Sequence, residues 1–161
     1  MHPPMRILGR PLAVFAILSL AACSHATIAG TGVPDTAENR EVVDVLGKYK
    51  MAAEAKDVDA LMQLVSTDYF DVAIPGRGRD ARDYSQLKAA LQQSFEKMKT
   101  LKLEMHLRDV KVVGDQANVD YFAISRYDLM LPSGEKWFTD SDDARLKLQR
   151  QQGQWKIVSG L

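Results

Sequence analysis

Residues 83–113 read DYSQLKAALQQSFEKMKTLKLEMHLRDVKVV, and the hydrophobic period changes once inside them. Tyr84, Leu87, Leu91, Phe95 and Met98 recur every three or four residues, the spacing of one helix face. Asp83 with Gln86 three residues on predicts a capping box at the start of that helix. From Leu101 the period is two: Leu101, Leu103, Met105 and Leu107 alternate with polar residues, and Val110 and Val112 continue in the opposite phase. A slip of one residue at Arg108–Asp109 predicts a β-bulge, which keeps one face of a long strand buried while bending it. Leu91 lies in the middle of the helical stripe. If that stripe is core, Leu91→Ala should cost about 2–5 kcal/mol.

Reading outward, Gly114-Asp115 predicts a hairpin turn into a long strand over 116–131. Pro132-Ser133-Gly134 turns the chain into a strand over 136–150, and Gln152-Gly153 turns it again. Trp155, Ile157 and Ser159 then share one face of a last strand. Upstream, Pro75-Gly76 closes a short strand over 69–74. Asp57 is placed to cap a helix with Val58, Leu61, Met62 and Val65 inward. Asp35 with Glu38, or Thr36 with Asn39, can start a first helix whose inward face is Val42, Leu46, Tyr49 and Ala53. Three helices followed by an antiparallel meander predict an α+β fold, with a curved antiparallel sheet wrapped around three N-terminal helices.

The amino terminus has a different character. Arg6 and Arg10 precede a nearly unbroken apolar run over 12–20, too short for a spanning helix and suited to a signal peptide. The run ends in Leu20-Ala21-Ala22-Cys23, which resembles a bacterial lipobox. That resemblance implies cleavage before Cys23, lipidation of its thiol and an anchored protein of the cell envelope, expected on the periplasmic face of the outer membrane. The alternative is ordinary cleavage after Ala21 or Ala22 and an incidental cysteine. Residues 24–36 are rich in Ser, Ala, Thr and Gly without a hydrophobic period, and read as a flexible tether of about 20 Å. The expected organisation is therefore a signal peptide over 1–22, a lipidated Cys23 with its tether to 36, and one domain over 37–161.

Composition narrows the function classes. The 161 residues include 46% hydrophobic side chains, enough for one core. Residues 1–22 hold two arginines and no acid, so the remainder carries 19 basic against 21 acidic residues, a net charge of −2. That balance gives no basic face for nucleic acid and no polybasic attraction to lipid. Cys23 is the single cysteine, so no disulfide forms within the chain. His106 is the one histidine beyond the tether, alternates opposite Leu107 and is expected to be exposed. No zinc or nucleophilic-cysteine site, and no cofactor, is expected from this inventory.

The stretch 49–61, ending AKDVDAL, resembles the first helix pair of the nuclear transport factor 2-like superfamily. Val113-Gly114-Asp115-Gln116-Ala117 and Gly153-Gln154-Trp155-Lys156-Ile157 resemble its later turns, and the likeness runs over roughly residues 38–160. It implies a cone with an apolar pocket at the open end, and it spans enzymes, such as ketosteroid isomerases and polyketide cyclases, as well as binding and assembly modules. Fold alone does not choose among these.

The isomerase pattern implies a tyrosine donor on the first helix, an acidic base near the first strand and a second acid on a late strand. Tyr49, eight residues before Asp57, matches the donor. The base position falls on Ala73 and the second acid near Ala144. Asp71 and Asp142 each lie two residues upstream on the same strand face, and are the candidate catalytic acids. The plainer readings are an exposed strand carboxylate for Asp71 and a core aromatic with its hydroxyl at the pocket for Tyr49. Asp140, Asp142 and Asp143 can hold a cation, or form a solvated strand end near Arg145 and Lys147. Arg77 and Arg79 sit in a glycine-containing loop that lacks the phosphate-loop pattern; with Tyr49 and Tyr121 they are the candidate ligand contacts. Because acids are missing where the isomerases carry them, the expected function is binding of a small apolar ligand or a protein partner without catalysis. An acid–base isomerase, cyclase or dehydratase is the alternative, and a homodimer using the outer sheet face near Trp137 is the third reading.

Overall fold

The structure is a computed structural model that describes residues 26–72 and 80–161. The signal peptide, Cys23, Ala73, Arg77 and Arg79 lie outside the described residues. Each helix begins where a short polar side chain can accept an orphan backbone N–H. Thr36 accepts from the Asn39 N–H at the start of α1 (Ala37–Glu54). Asp57 accepts from the Ala60 N–H at the start of α2 (Val58–Leu64). Asp83 and Gln86 close the capping box of α3 (Tyr84–Lys97), the two bonds measuring 2.8 and 3.0 Å.

Between α2 and α3 two short strands, β1 (Phe70–Asp71) and β2 (Arg82–Asp83), pair with each other. β1 is shorter than the strand expected over 69–74, and β2 carries no hydrophobic period that would announce it. After α3 come β3 (Met98–Val113), β4 (Gln116–Leu131), β5 (Gly134–Gln151) and β6 (Gln154–Ser159), an antiparallel meander in that spatial order. The register of β3 and β4 shifts between Leu107 and Asp109, as the phase slip predicts. A second shift falls between Met98 and Leu101, where no phase slip is legible. There Asp128 of β4, 1% exposed, accepts the Thr100 N–H that the shift frees. Burial raises the Asp128 pKa, but hydrogen bonds from Thr100 outweigh it and hold the carboxyl below its usual range.

The helices pack on one face of the sheet. Val42 and Leu46 of α1 meet Val119, Leu146, Leu148 and Ile157, all nearly solvent-free. Glu54 at the end of α1 accepts the Leu103 N–H at 2.9 Å and pairs with Lys50, so its pKa is lowered, chiefly by the bond from Leu103. This ties the carboxyl end of α1 to the early part of β3. Trp155 donates its indole N–H to Glu41 near the amino end of α1, with Arg150 stacked 4.6 Å over its ring.

Two expectations need correction. The tether is not free over its whole length, because the chain from Ala26 onward is folded against the domain. The Ile28 N–H bonds the Val33 carbonyl, the Asp35 N–H bonds Ala26, and Val33 is 1% exposed in the core. Gly30, at φ +77°, allows the turn, and a single apolar side chain between Gly and Pro leaves no period to read. The α3 stripe is also less central than it reads. Leu87 is buried, but Leu91 is only half-buried because it borders a cavity. Leu91→Ala is therefore expected to cost about 1–2 kcal/mol in urea unfolding, below the range for a fully buried leucine. A loss above about 3 kcal/mol would place it in the closed core instead.

Candidate functional site

The alternation of β4 points Tyr121, Ala123, Ser125 and Tyr127 to the helix side of the sheet. Register carries that face across three strands. Leu103, Ser125 and Asp140 form one row, and Met105, Ala123 and Asp142 the next. Leu107, Tyr121 and Ala144 form a third. Over the first two rows lie Tyr49 of α1 and Leu91 and Phe95 of α3, bordering an open-sided cavity of about 540 Å³. Its inner wall is apolar and aromatic: Leu103 is 7% and Tyr121 5% exposed. Its rim is acidic, since Asp140 and Asp142 are exposed to solvent.

The structure brings together three of the candidate residues, Tyr49, Tyr121 and Asp142. It sets Asp71 apart. The Asp71 carboxylate accepts the Ser159 hydroxyl at 3.0 Å and lines a neighbouring groove with Arg108, Asp120 and Arg145. Tyr121, Ala144 and Gly160 border both spaces. The groove's arginines are engaged: Arg145 makes a two-pronged bond to Asp120, and Arg108 pairs with Asp143 at 2.7 Å while stacking over Phe122. The hydrogen bond from Arg145 lowers the Asp120 pKa. The acidic cluster therefore divides, with Asp140 and Asp142 on the cavity side and Asp143 on the outer side. Trp137 is on the outer side too, 61% exposed. His106 is exposed, 3.7 Å from Glu104. Among the described residues no three His, Cys, Asp or Glu side chains group as metal ligands do.

Tyr127 is among the cavity residues that the sequence did not single out. Tyr127 donates to Asp140 at 2.6 Å and stacks on Phe138, ring centres 5.5 Å apart. The bond to Asp140, helped by burial, raises its pKa. Strict alternation from Tyr121 was the available signal. Tyr69, 1% exposed, donates to the carbonyl of Leu161, which lines the cavity, and accepts the Leu161 N–H at 3.0 Å. Burial is the main cause that pushes the Tyr69 pKa up to about 12, so it is a neutral clamp. It holds Leu161 against the cavity wall.

The family model of the SnoaL-like domain matches residues 42–160. Solved structures share the fold. A candidate aromatic ring hydroxylase from Novosphingobium aromaticivorans is 17% identical, with a TM-score of 0.67 over 78% of this chain and 88% of that one. A candidate dehydratase of the nuclear transport factor 2-like family from Streptomyces avermitilis is 17% identical, with a TM-score of 0.66 over 76% and 93%. A ketosteroid isomerase-like protein from Erwinia carotovora atroseptica is 16% identical, with a TM-score of 0.65 over 78% and 95%. No curated protein matches the chain. At these identities the likeness carries the cone-shaped fold and nothing finer.

Proposed function

The chain belongs to the SnoaL-like domain family, and we propose that it is a lipid-anchored envelope protein whose domain binds a small ring-bearing molecule without transforming it. The observation that carries this reading is where the acids lie. The buried wall of the cavity is built from Leu103 and Tyr121, with Ala123 and Phe95 half-buried beside them, while the carboxylates of Asp140 and Asp142 stand at the solvent-exposed rim. A base that removes a proton next to a carbonyl must reach it inside the enclosed space. Tyrosines with apolar bodies and polar tips suit retention of a flat apolar molecule.

Lipidation at Cys23 adds a geometric consequence. Ala26, three residues after Cys23 in the sequence, already accepts the Asp35 N–H, so the folded segment lies close to the lipidated residue. From that end α1 runs 18 residues, about 27 Å, before Glu54 meets β3 beside the cavity. On this reading the lipid holds the domain close to the bilayer, expected to be the outer membrane.

The second reading is an acid–base isomerase, cyclase or dehydratase. It is favoured by one observation: Tyr49 and Asp142 border the same cavity. Tyr49→Phe separates the two. For a binding domain, affinity for a neutral probe such as 2-(1-naphthyl)ethanol should shift by no more than about 0.5–1.5 kcal/mol, with stability nearly unchanged. For an enzyme, turnover of a steroid, dienone or polyketide-like substrate should fall about 10²–10³-fold, and Asp142→Asn should abolish it. Turnover that responds in this way would replace the binding reading with the enzymatic one.

A further inference from the structure

Three successive residues carry the chain from one space into the next. Ser159 lines the groove beside Asp71, Gly160 borders both groove and cavity, and Leu161 lines the cavity. Beneath them Tyr121 and Ala144, cross-strand partners on β4 and β5, are common to the two spaces. The groove is similar in size to the cavity, about 570 Å³. Its chemistry is different: the cavity wall is apolar and aromatic, whereas the groove holds Asp71, Arg108 and the Asp120–Arg145 pair.

The segment that crosses between them is fixed at three points. Ser159 donates its hydroxyl to Asp71 at 3.0 Å. Gly160 lies so near β5 that an added Cβ would be 2.1 Å from the Arg145 carbonyl oxygen. The Leu161 N–H and carbonyl both bond the Tyr69 hydroxyl, at 3.0 and 3.2 Å, and Tyr69 is packed in the core at 1% exposure. None of these contacts uses the Leu161 side chain, which packs half-buried on the core. An apolar side chain held there is a barrier to a polar group, which would shed water against it and gain no bond in return.

We propose that Leu161 is a specificity-determining residue: its side chain closes the passage from cavity to groove, so that a ligand seated by its ring in the cavity turns its polar end to the solvent-exposed rim and is kept from Asp71. This rests on the binding reading above and specifies its ligands as ring-bearing molecules with a short polar end. Removing the side chain joins the two spaces and favours a longer polar arm, which then reaches the groove.

The test compares two neutral probes that share one ring, 2-(1-naphthyl)ethanol and its longer ether 2-[2-(1-naphthyl)ethoxy]ethanol. Binding is measured by calorimetry on the purified protein in zwitterionic lipid nanodiscs, with empty discs as the blank. In the wild type the two should agree within about twofold, because the extra arm exchanges no bond to water for a bond to protein. In Leu161→Ala the longer probe is expected to bind about tenfold more tightly than the shorter, as its arm bonds the polar groups of the groove. Leu91→Ala is the control, since it enlarges the same cavity from the α3 side and should shift both probes together. Tyr69→Phe keeps the ring in the core and removes both bonds to Leu161. It should raise the preference for the longer probe by a smaller factor, and it gives a second check if Leu161→Ala misfolds. An unchanged ratio of affinities in both variants overturns the proposal and leaves the binding reading standing. The same preference already present in the wild type, or produced equally by Leu91→Ala, overturns it too. Binding of neither probe to any form of the protein removes both the partition and the apolar-cavity reading.

Discussion

Replacing Gly160 with alanine is expected to lower the stability of the domain by about 3–5 kcal/mol, and to open the cavity wall at the same time. Gly160 has φ +109°, outside the range that residues with a side chain readily adopt. A Cβ there would lie 2.1 Å from the Arg145 carbonyl oxygen and 3.1 Å from the Leu146 Cα. Neither atom can yield cheaply. Both are backbone of β5, which is paired with β4 through Arg145–Asp120 and Leu146–Val119, and Leu146 is fully buried. The chain end must therefore peel away. That leaves the buried Tyr69 hydroxyl without the two bonds it makes to Leu161, a loss of about 1–3 kcal/mol contained in the total. Gly114→Ala is the control. Gly114 also has a positive φ, +57°, but an added Cβ would meet nothing within 4 Å, so the expected loss is about 1 kcal/mol. Urea unfolding checks both. Equal losses for the two variants would show that backbone conformation, and not the close approach to β5, is what Gly160 provides. If the tail is released, 2-(1-naphthyl)ethanol should also bind more weakly to Gly160→Ala, since Leu161 forms part of the cavity wall.

Cys23→Ser is expected to move the protein from the membrane fraction to the soluble fraction almost completely. If Cys23 carries a diacylglycerol thioether and its amine is acylated, two or three chains anchor the protein, whereas a single chain gives only marginal binding. Serine lacks the thiol that accepts the lipid. Radiolabelled palmitate should therefore enter the wild-type chain and not the variant. Equal labelling of the two, or a wild-type protein released without detergent, would discard the anchor and favour ordinary cleavage after Ala21 or Ala22. Because Ala26, three residues after Cys23 in the sequence, is already bonded to Asp35, inserting ten Gly/Ser residues before Ala26 should raise protease access to the amino-terminal turn without changing the palmitate signal.

Features written in short-range code were legible in the sequence by itself. Asp83 and Gln86 are three residues apart, and their mutual capping follows from helix geometry whatever packs around them. The bulge at Arg108 is visible because side chains alternate with period two, so an extra residue must reverse the phase of everything after it. Gln152 and Gly153, at φ +51° and +77°, mark a tight turn for the same local reason. Caps, periods and turns in that order are sufficient for the α+β class and for the family resemblance. The contents of the site were not legible in this way. Asp71 and Asp142 look equivalent on their own strands, yet cross-strand register puts Asp142 beside Ala123 in the cavity with Tyr49, while Ser159 holds Asp71 in the next groove. Val33 enters the core through one turn at Gly30, and Asp128 reaches a backbone N–H 28 residues away. Gly160, just past β6, is required by the Arg145 carbonyl 15 residues upstream in β5. A local pattern specifies how each segment is shaped and which face is apolar. Which polar groups then meet depends on register, strand twist and close approach between distant segments, and these exist only once the sheet has closed around the helices.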